Sequence, residues 1–351
     1  MRLGVFLLCF IPVLVLGGER VFPLDPVKLA EGREVAGNSR FLVEHEGMVY
    51  HFVDSKSRET FLANPSRFEV QMGGACARMG PLRGELGNPE IYTHHGEQLF
   101  IFGSTRCREV FLSDPSRAFD PDSPRPQASR EAMLEGKRWI AAAVDAMGGA
   151  KALDGVGNQV LRSTTADGRE RMLVSLFPDR VRLEEEKGGH SWGLVVGPEG
   201  ASRLADGHIV PAHDSHVRAF WRWLGHQPLH ILKSRHQPDF VAYSDGTIEQ
   251  VGGVSVVWVQ TWSAGVANTL GIDVETGRLA VLRYRGRGTQ AQFGQLEKHF
   301  HEFREIDGLM LPFQTKVYYQ GEPLPSHDET LTYAGLNERI DPKKFRVSEA
   351  N

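Results

Sequence analysis

From Asn158 onward the chain alternates apolar and polar residues in short stretches broken by turn residues. It does so through "NQVLRSTTADGRERMLVSLFPDRVRLEEEKGG", "SVVWVQTW", "NTLGIDVETGRLAVLRYRG", "KHFHEFREIDGLMLPFQTKVYY" and "ETLTYAGLNERIDPKKF". Side chains on a strand alternate between the two faces, so a two-residue period sustained over many segments, with a turn roughly every ten residues, requires an antiparallel sheet of many strands with one face buried. The buried face needs a cover. One candidate is "AHDSHVRAFWRWLGHQPLHILK", Ala212 to Lys233, expected to be helical before Gly225, where Phe220, Trp221 and Trp223 offer a broad aromatic surface. A second is a helix begun at Ser129 and running to about Met147, with Met133, Ile140, Val144 and Met147 on one side and Gly148-Gly149 as its stop. The expected fold class is α+β: an antiparallel β half-barrel covered by helices, preceded by a small hairpin-helix module.

That module is duplicated. "RETFLANPSR", Arg58 to Arg67, returns as "REVFLSDPSR", Arg108 to Arg117, and seven of the ten positions are identical. The likeness extends back through "HEGMVYHFVDS" from His45 and "HGEQLFIFGST" from His95, so each copy reads as a hairpin feeding a helix that stops at Asn64-Pro65 or Asp114-Pro115. The following "SRAFDPDSPRPQAS" is dense in Pro, Asp and Ser and reads as an exposed linker. The expected domains are 19–118 for the duplicated module, 119–128 for the linker and 129–351 for the half-barrel.

The first residues read as a secretory leader over 1–18: Arg2, an apolar run from Leu3 to Leu16, then Gly17 and Gly18. An extracytoplasmic, for instance periplasmic, location is therefore expected. Cys9 would leave with the leader. The net charge of −4 and pI near 6.4 lack the basic footprint of a nucleic-acid partner.

Cys76, in "QMGGACARMGPLRG", and Cys107 are then the remaining thiols. Three readings stay open for them. A disulfide would close a 31-residue loop and stabilise the fold by roughly 3 to 4 kcal/mol on the chain-entropy model. Alternatively they form a metal or redox site, with His51, His94 or His95 as imidazole partners for Zn or Cu. The third reading is two inert buried thiols. "GHSWG", Gly189 to Gly193, matches the G-x-S-x-G pattern that would make Ser191 an acyl-transfer nucleophile, but the pattern needs a buried strand before it and a helix after it. The flanking residues read as a hairpin. His208, His213, His216, His226, His230 and His236 form a histidine-rich span in which His213/His216 and His226/His230 could share a helix face, but Pro228 disturbs the second pair and no carboxylate lies at ligand spacing, so a surface or lid role is expected; His299 and His301 share a strand face, either as the start of a metal site or as a half-exposed sheet face.

Residues Asp25 to Gly80, through "YHF" at Tyr50 to Phe52, "FLANPSRF" and "GGACARMG", resemble the YHS domain family. That resemblance implies a treble-clef-like module able to bind metals through cysteines. Lys28 and the "FVDSKS" strand end stand where the family's usual thiols would be, and only Cys107 is retained in the second copy. Ala146 to Phe345 resembles the periplasmic lipoprotein carriers of the LolA/LolB type, through "AMGGAKALDGVGNQVLRST", "DVETGRLAVLRY" and "FREIDGLMLPFQTKVYYQGE". This resemblance implies a half-barrel holding lipid or acyl chains in an apolar concavity. The combined expectation is an exported, non-enzymatic protein that binds an apolar or lipid-like ligand at Phe220, Trp221 and Trp223. The YHS-like module would serve docking to an envelope protein or metal response.

Overall fold

The computed structural model describes residues 20–83, 85–205 and 208–346. The leader expected over 1–18 lies outside them. The chain divides into two compact units. One takes the described residues up to Glu69 together with His94–Leu99; the other takes Val70–Thr93 and everything from Phe100.

The smaller unit contains β1 (Val21–Phe22), α1 (Pro26–Ala30), β2 (Asn38–His45), β3 (Met48–Phe52), α2 (Ser55–Ala63) and α3 (Pro65–Phe68). Its sheet runs β1-β3-β2, with β1 parallel to β3. Asp25, fully buried, holds it together. One carboxylate oxygen accepts the Val27 and Lys28 amides at the start of α1, at 2.9 and 3.0 Å, and the other accepts the Val53 amide at 2.9 Å. Phe61 of α2 packs its ring on Tyr50 and Phe52, with centroids 4.8 and 5.3 Å away.

The second copy repeats this construction: β4 (Asn88–His95), β5 (Gln98–Phe102) and α4 (Thr105–Ser113). Even the caps correspond, Asp54 accepting the Ser57 amide and Ser104 the Cys107 amide. The structure nevertheless departs from the expected single module over 19–118, because apart from its hairpin tip the second copy groups with the larger unit. The reason is packing. Phe100, Phe102 and Phe111 share a core with Cys76 and Ala77, while Arg117 donates to the Tyr319 hydroxyl at 2.7 Å and Arg287 to the Ala118 carbonyl at 3.0 Å.

The segment expected to be a linker is tied down by specific bonds. Residues 119–128 form no regular element, yet Arg222 bonds Asp120 at 2.9 Å and Asp122 at 2.7 Å, and Trp262 donates to the Ser123 carbonyl at 2.8 Å. Its prolines preclude a helix or strand. Its carbonyls and carboxylates still find partners on the larger unit.

The larger unit continues with α5 (Arg130–Ala146) and α6 (Ala150–Asp154), then β6 (Asn158–Thr165), β7 (Glu170–Leu176), β8 (Arg180–Lys187), β9 (His190–Gly197), β10 (Gly200–Ala205) and β11 (His208–Pro211). After α7 (Asp214–Leu224) and α8 (Pro228–Lys233) come β12 (Val241–Tyr243), β13 (Ile248–Val251), β14 (Val254–Ser263), β15 (Val266–Asp273) and β16 (Leu279–Arg287). The last strands are β17 (Phe293–Ile306), β18 (Leu309–Tyr319), β19 (Glu322–Pro323) and β20 (Glu329–Leu336). The order β11-β10-β9-β8-β7-β6-β20-β18-β17-β16-β15-β14-β12 inserts the last strand beside the first, joining two meanders into one sheet, with β13 on β14 and β19 on β18.

Helices cover one face. Ser129 caps α5 by accepting the Ala132 amide at 3.1 Å, and Ile140, Val144 and Met147 pack with Leu229 and Leu232 of α8 on Leu270, Leu282 and Leu311. The sheet curls around α8. His226, just before α8, contacts Asn268 on β15, while His230, four residues on and within α8, contacts Gln159 and Ser175 on β6 and β7. A flat sheet would hold β6 and β15 about 24 Å apart, at roughly 4.8 Å per strand.

Candidate functional site

The curled face carries two apolar areas with polar residues between them. Under α7, Leu173, Leu183, Leu194 and Val196 pack against Phe220, Leu224 and Leu82. Under α5 and α8 lies the larger core already described. Alternation places Arg171 on the same face as Leu173, and Glu185 on the same face as Leu183. Arg171 bonds Glu185 at 2.6 Å and Glu329 of β20 at 2.9 Å. Trp192 donates to the second Glu185 oxygen at 2.8 Å, and Ser163 donates to Glu329. Burial pushes the Glu329 carboxyl upward, but Arg171 and Lys298 outweigh it and hold the group below its ordinary range. The Arg171 guanidinium also lies 5.4 Å from the Trp223 ring centre, so the aromatic cover rests on the charged cluster.

Three histidines meet this interior. Asn268 donates its amide to the Gly225 carbonyl at 3.0 Å, so its oxygen accepts from His226 Nδ1 at 2.6 Å, which leaves His226 Nε2 as a buried acceptor without a partner. His216 uses Nδ1 to accept the His213 amide at 3.1 Å and buries an unpartnered Nε2–H. Burial lowers His216, His226 and His230 each to about 3. They remain neutral. Within the span expected to be a surface or lid, His216 and His226 point inward and are only 2% and 4% exposed.

The aromatic trio divides. Phe220 is fully buried on the sheet and stacks on Trp223 at 5.9 Å, whereas Trp221 is 36% exposed. A cavity of about 10 Å³, near the size of one water, lies among Leu82, Leu183, Trp192, Leu194, Arg203 and His216. A wider hollow of about 430 Å³ is lined by polar residues such as Arg117, Gln290, Gln292 and Glu322 together with Tyr319, Pro323 and Leu324.

Cys76 and Cys107 are free thiols in the larger unit, side by side in one buried cluster, so of the three open readings the disulfide is not formed in this structure. His51, His94 and His95 belong to the smaller unit. Among the described residues, no group of three or more His, Cys, Asp or Glu is arranged to hold a metal ion. Ser191 sits on β9 directly opposite Glu186 of β8, just past the Gly188-Gly189 turn. The next element is strand β10, so the helix that a nucleophile elbow requires is absent. His299 bonds Glu297 beside it on the opposite face of the sheet from Lys298.

Neither a protein-family model nor a curated protein sequence matches the chain. Several solved structures are similar over part of it, among them the following two. A DUF1329 family protein from Desulfovibrio piger has a TM-score of 0.38 and 10% identity, covering 60% of this chain and 97% of its own. A LolA superfamily protein from Nitrosomonas europaea has a TM-score of 0.33 and 12% identity, with the same two coverages. Neither likeness is strong enough to carry a function.

Proposed function

We propose that this is an exported, non-enzymatic binding protein whose curled sheet accepts a long apolar or lipid-like ligand beneath α7. One observation supports the reading: the apolar patch of β7–β9 is covered by a single amphipathic helix and the short turn Pro81–Arg83, rather than by the continuous core that holds α5 and α8. Phe220, Leu224 and Leu82 contribute about 2 kcal/mol each on burial, so displacing them costs on the order of 6 kcal/mol before the mobility they regain. An acyl chain of about ten methylenes, at about 0.8 kcal/mol each, offsets that cost, whereas a short fragment does not. The smaller unit, with its YHS-like hairpin and helix, is proposed as a docking or metal-responsive module toward an envelope partner.

The test is to extract the chain purified from its secreting host and examine the extract for lipid by mass spectrometry, then to titrate the delipidated chain with 8-anilinonaphthalene-1-sulfonate. We expect co-purified lipid, saturable probe binding that palmitate displaces, and a change in tryptophan emission as Trp223 leaves Phe220. A lipid-free protein that binds the probe without saturation would sink the proposal.

A further inference from the structure

The two thiols are chemically unequal. Cys76 is completely buried, in a turn fixed by the Cys76 amide to the Glu85 carbonyl at 2.8 Å and the Gly80 amide to the Cys76 carbonyl at 2.8 Å. Cys107 keeps 9% exposure. It occupies the third position of α4, with its amide on the Ser104 cap at 3.2 Å, where the helix end favours negative charge. Arg78 Nη1 donates to Cys107 Sγ at 3.6 Å, and the same guanidinium is held by the Gln290 carbonyl at 2.9 Å.

We propose that Cys107 and Cys76 form a redox-active dithiol, in which Cys107 attacks small-molecule disulfides and Cys76 resolves the adduct. The chemistry balances without any other reagent. Cys107 thiolate attacks one sulfur of the incoming disulfide, forming a mixed disulfide and releasing the other half as a thiolate. Cys76 then gives up its proton and attacks Cys107 Sγ, which closes the Cys76–Cys107 bond and releases the second thiolate. Two protein thiols are oxidised, one disulfide is reduced to two thiols, and the two protein protons go to the departing thiolates. The electrostatics match these roles. Burial pushes both thiols up, but at Cys107 the hydrogen bonds from Ser104, Arg78 and Cys76 outweigh it and hold that thiol below its usual range. Cys76 stays above its usual range because burial wins there.

The experiment uses the full chain carrying Cys9→Ser, fully reduced, exposed to glutathione disulfide, then unfolded and alkylated. We expect both remaining thiols to be lost to alkylation and recovered after dithiothreitol. Adding Cys76→Ser should trap one glutathione on Cys107, whereas adding Cys107→Ser should slow adduct formation at Cys76 at least tenfold. Near-ultraviolet circular dichroism of each variant separates a folding defect from a loss of reactivity, and the Cys9→Ser parent keeps both Cys76 and Cys107 for its own result. Two thiols still open to alkylation after the disulfide treatment would overturn the proposal, as would equal reactivity of the two single-cysteine variants.

Discussion

His226 Nδ1 donates to Asn268 Oδ1 at 2.6 Å, and the partner's amide is itself fixed on the Gly225 carbonyl, so the imidazole is locked with its other nitrogen bare. The lock sets a pH dependence. His216, His226 and His230 take a proton near 6.5 in the unfolded chain and near about 3 in the folded one. Throughout that window the unfolded state binds more protons, so stability falls as pH falls below 6.5, by about 1.4 kcal/mol per unit for each histidine. Carboxyls held low, such as Glu329, lose their contribution only below their ordinary 4.5. Urea unfolding between about pH 7 and about pH 5 should show this loss, and His226→Gln should reduce its slope by roughly a third. An unchanged slope would remove His226 from the explanation.

Replacing Arg171 with Met strands two carboxylates. Glu185 and Glu329 would remain in a buried site without their shared cation, and loss of one partner of a buried pair costs about 3 to 5 kcal/mol. Converting all three positions to apolar residues of similar volume should recover most of that. If Arg171→Met alone melts at the parent temperature, the cluster does not contribute as described.

Gly136 reverses a common rule. Replacing glycine by alanine inside a helix usually stabilises by about 1 kcal/mol. Here the added Cβ would lie 2.4 Å from the Tyr243 backbone, where α5 rests on β12. Gly136→Ala should therefore destabilise, and a rise in melting temperature would contradict the close approach.

Arg222→Ala should release the strap over 119–128. The three bonds of this guanidinium to Asp120, Asp122 and the Pro121 carbonyl, at 2.9, 2.7 and 3.1 Å, restrain a segment with no regular structure. Limited proteolysis should cut there in the variant well before it cuts the parent chain. Equal cleavage rates would mean that the bonds do not restrain it.

Much of this was legible in the sequence, and the rest was not for definite reasons. Alternation located β6–β8, β14–β18 and β20, though not the short strands β10–β13 and β19; Ser129 marked the start of α5, and Gly225 the end of α7. The fifty-residue repeat gave matching hairpins and helices. Alternation says which residues share a face but not which strands become neighbours, so Glu329 could not be paired with Arg171 across 158 positions. Glu185 sits in the acidic run "RLEEEK", whose charges do not show that it shares a face with Leu183. The repeat revealed a duplication without revealing that Phe100, Phe102 and Phe111 would pack with Cys76 and not form a twin of the first module.

The turn that carries Cys76 also touches the helix proposed as the ligand cover. At Gly73 a side chain would collide with His216 and His213 at the start of α7, while three residues later Cys76 meets Cys107. One short segment thus bears on both the thiols and the cover. A ligand that displaces α7 would alter how readily the thiols are oxidised, and oxidation would alter ligand affinity by the same free energy, because linkage of this kind acts in both directions.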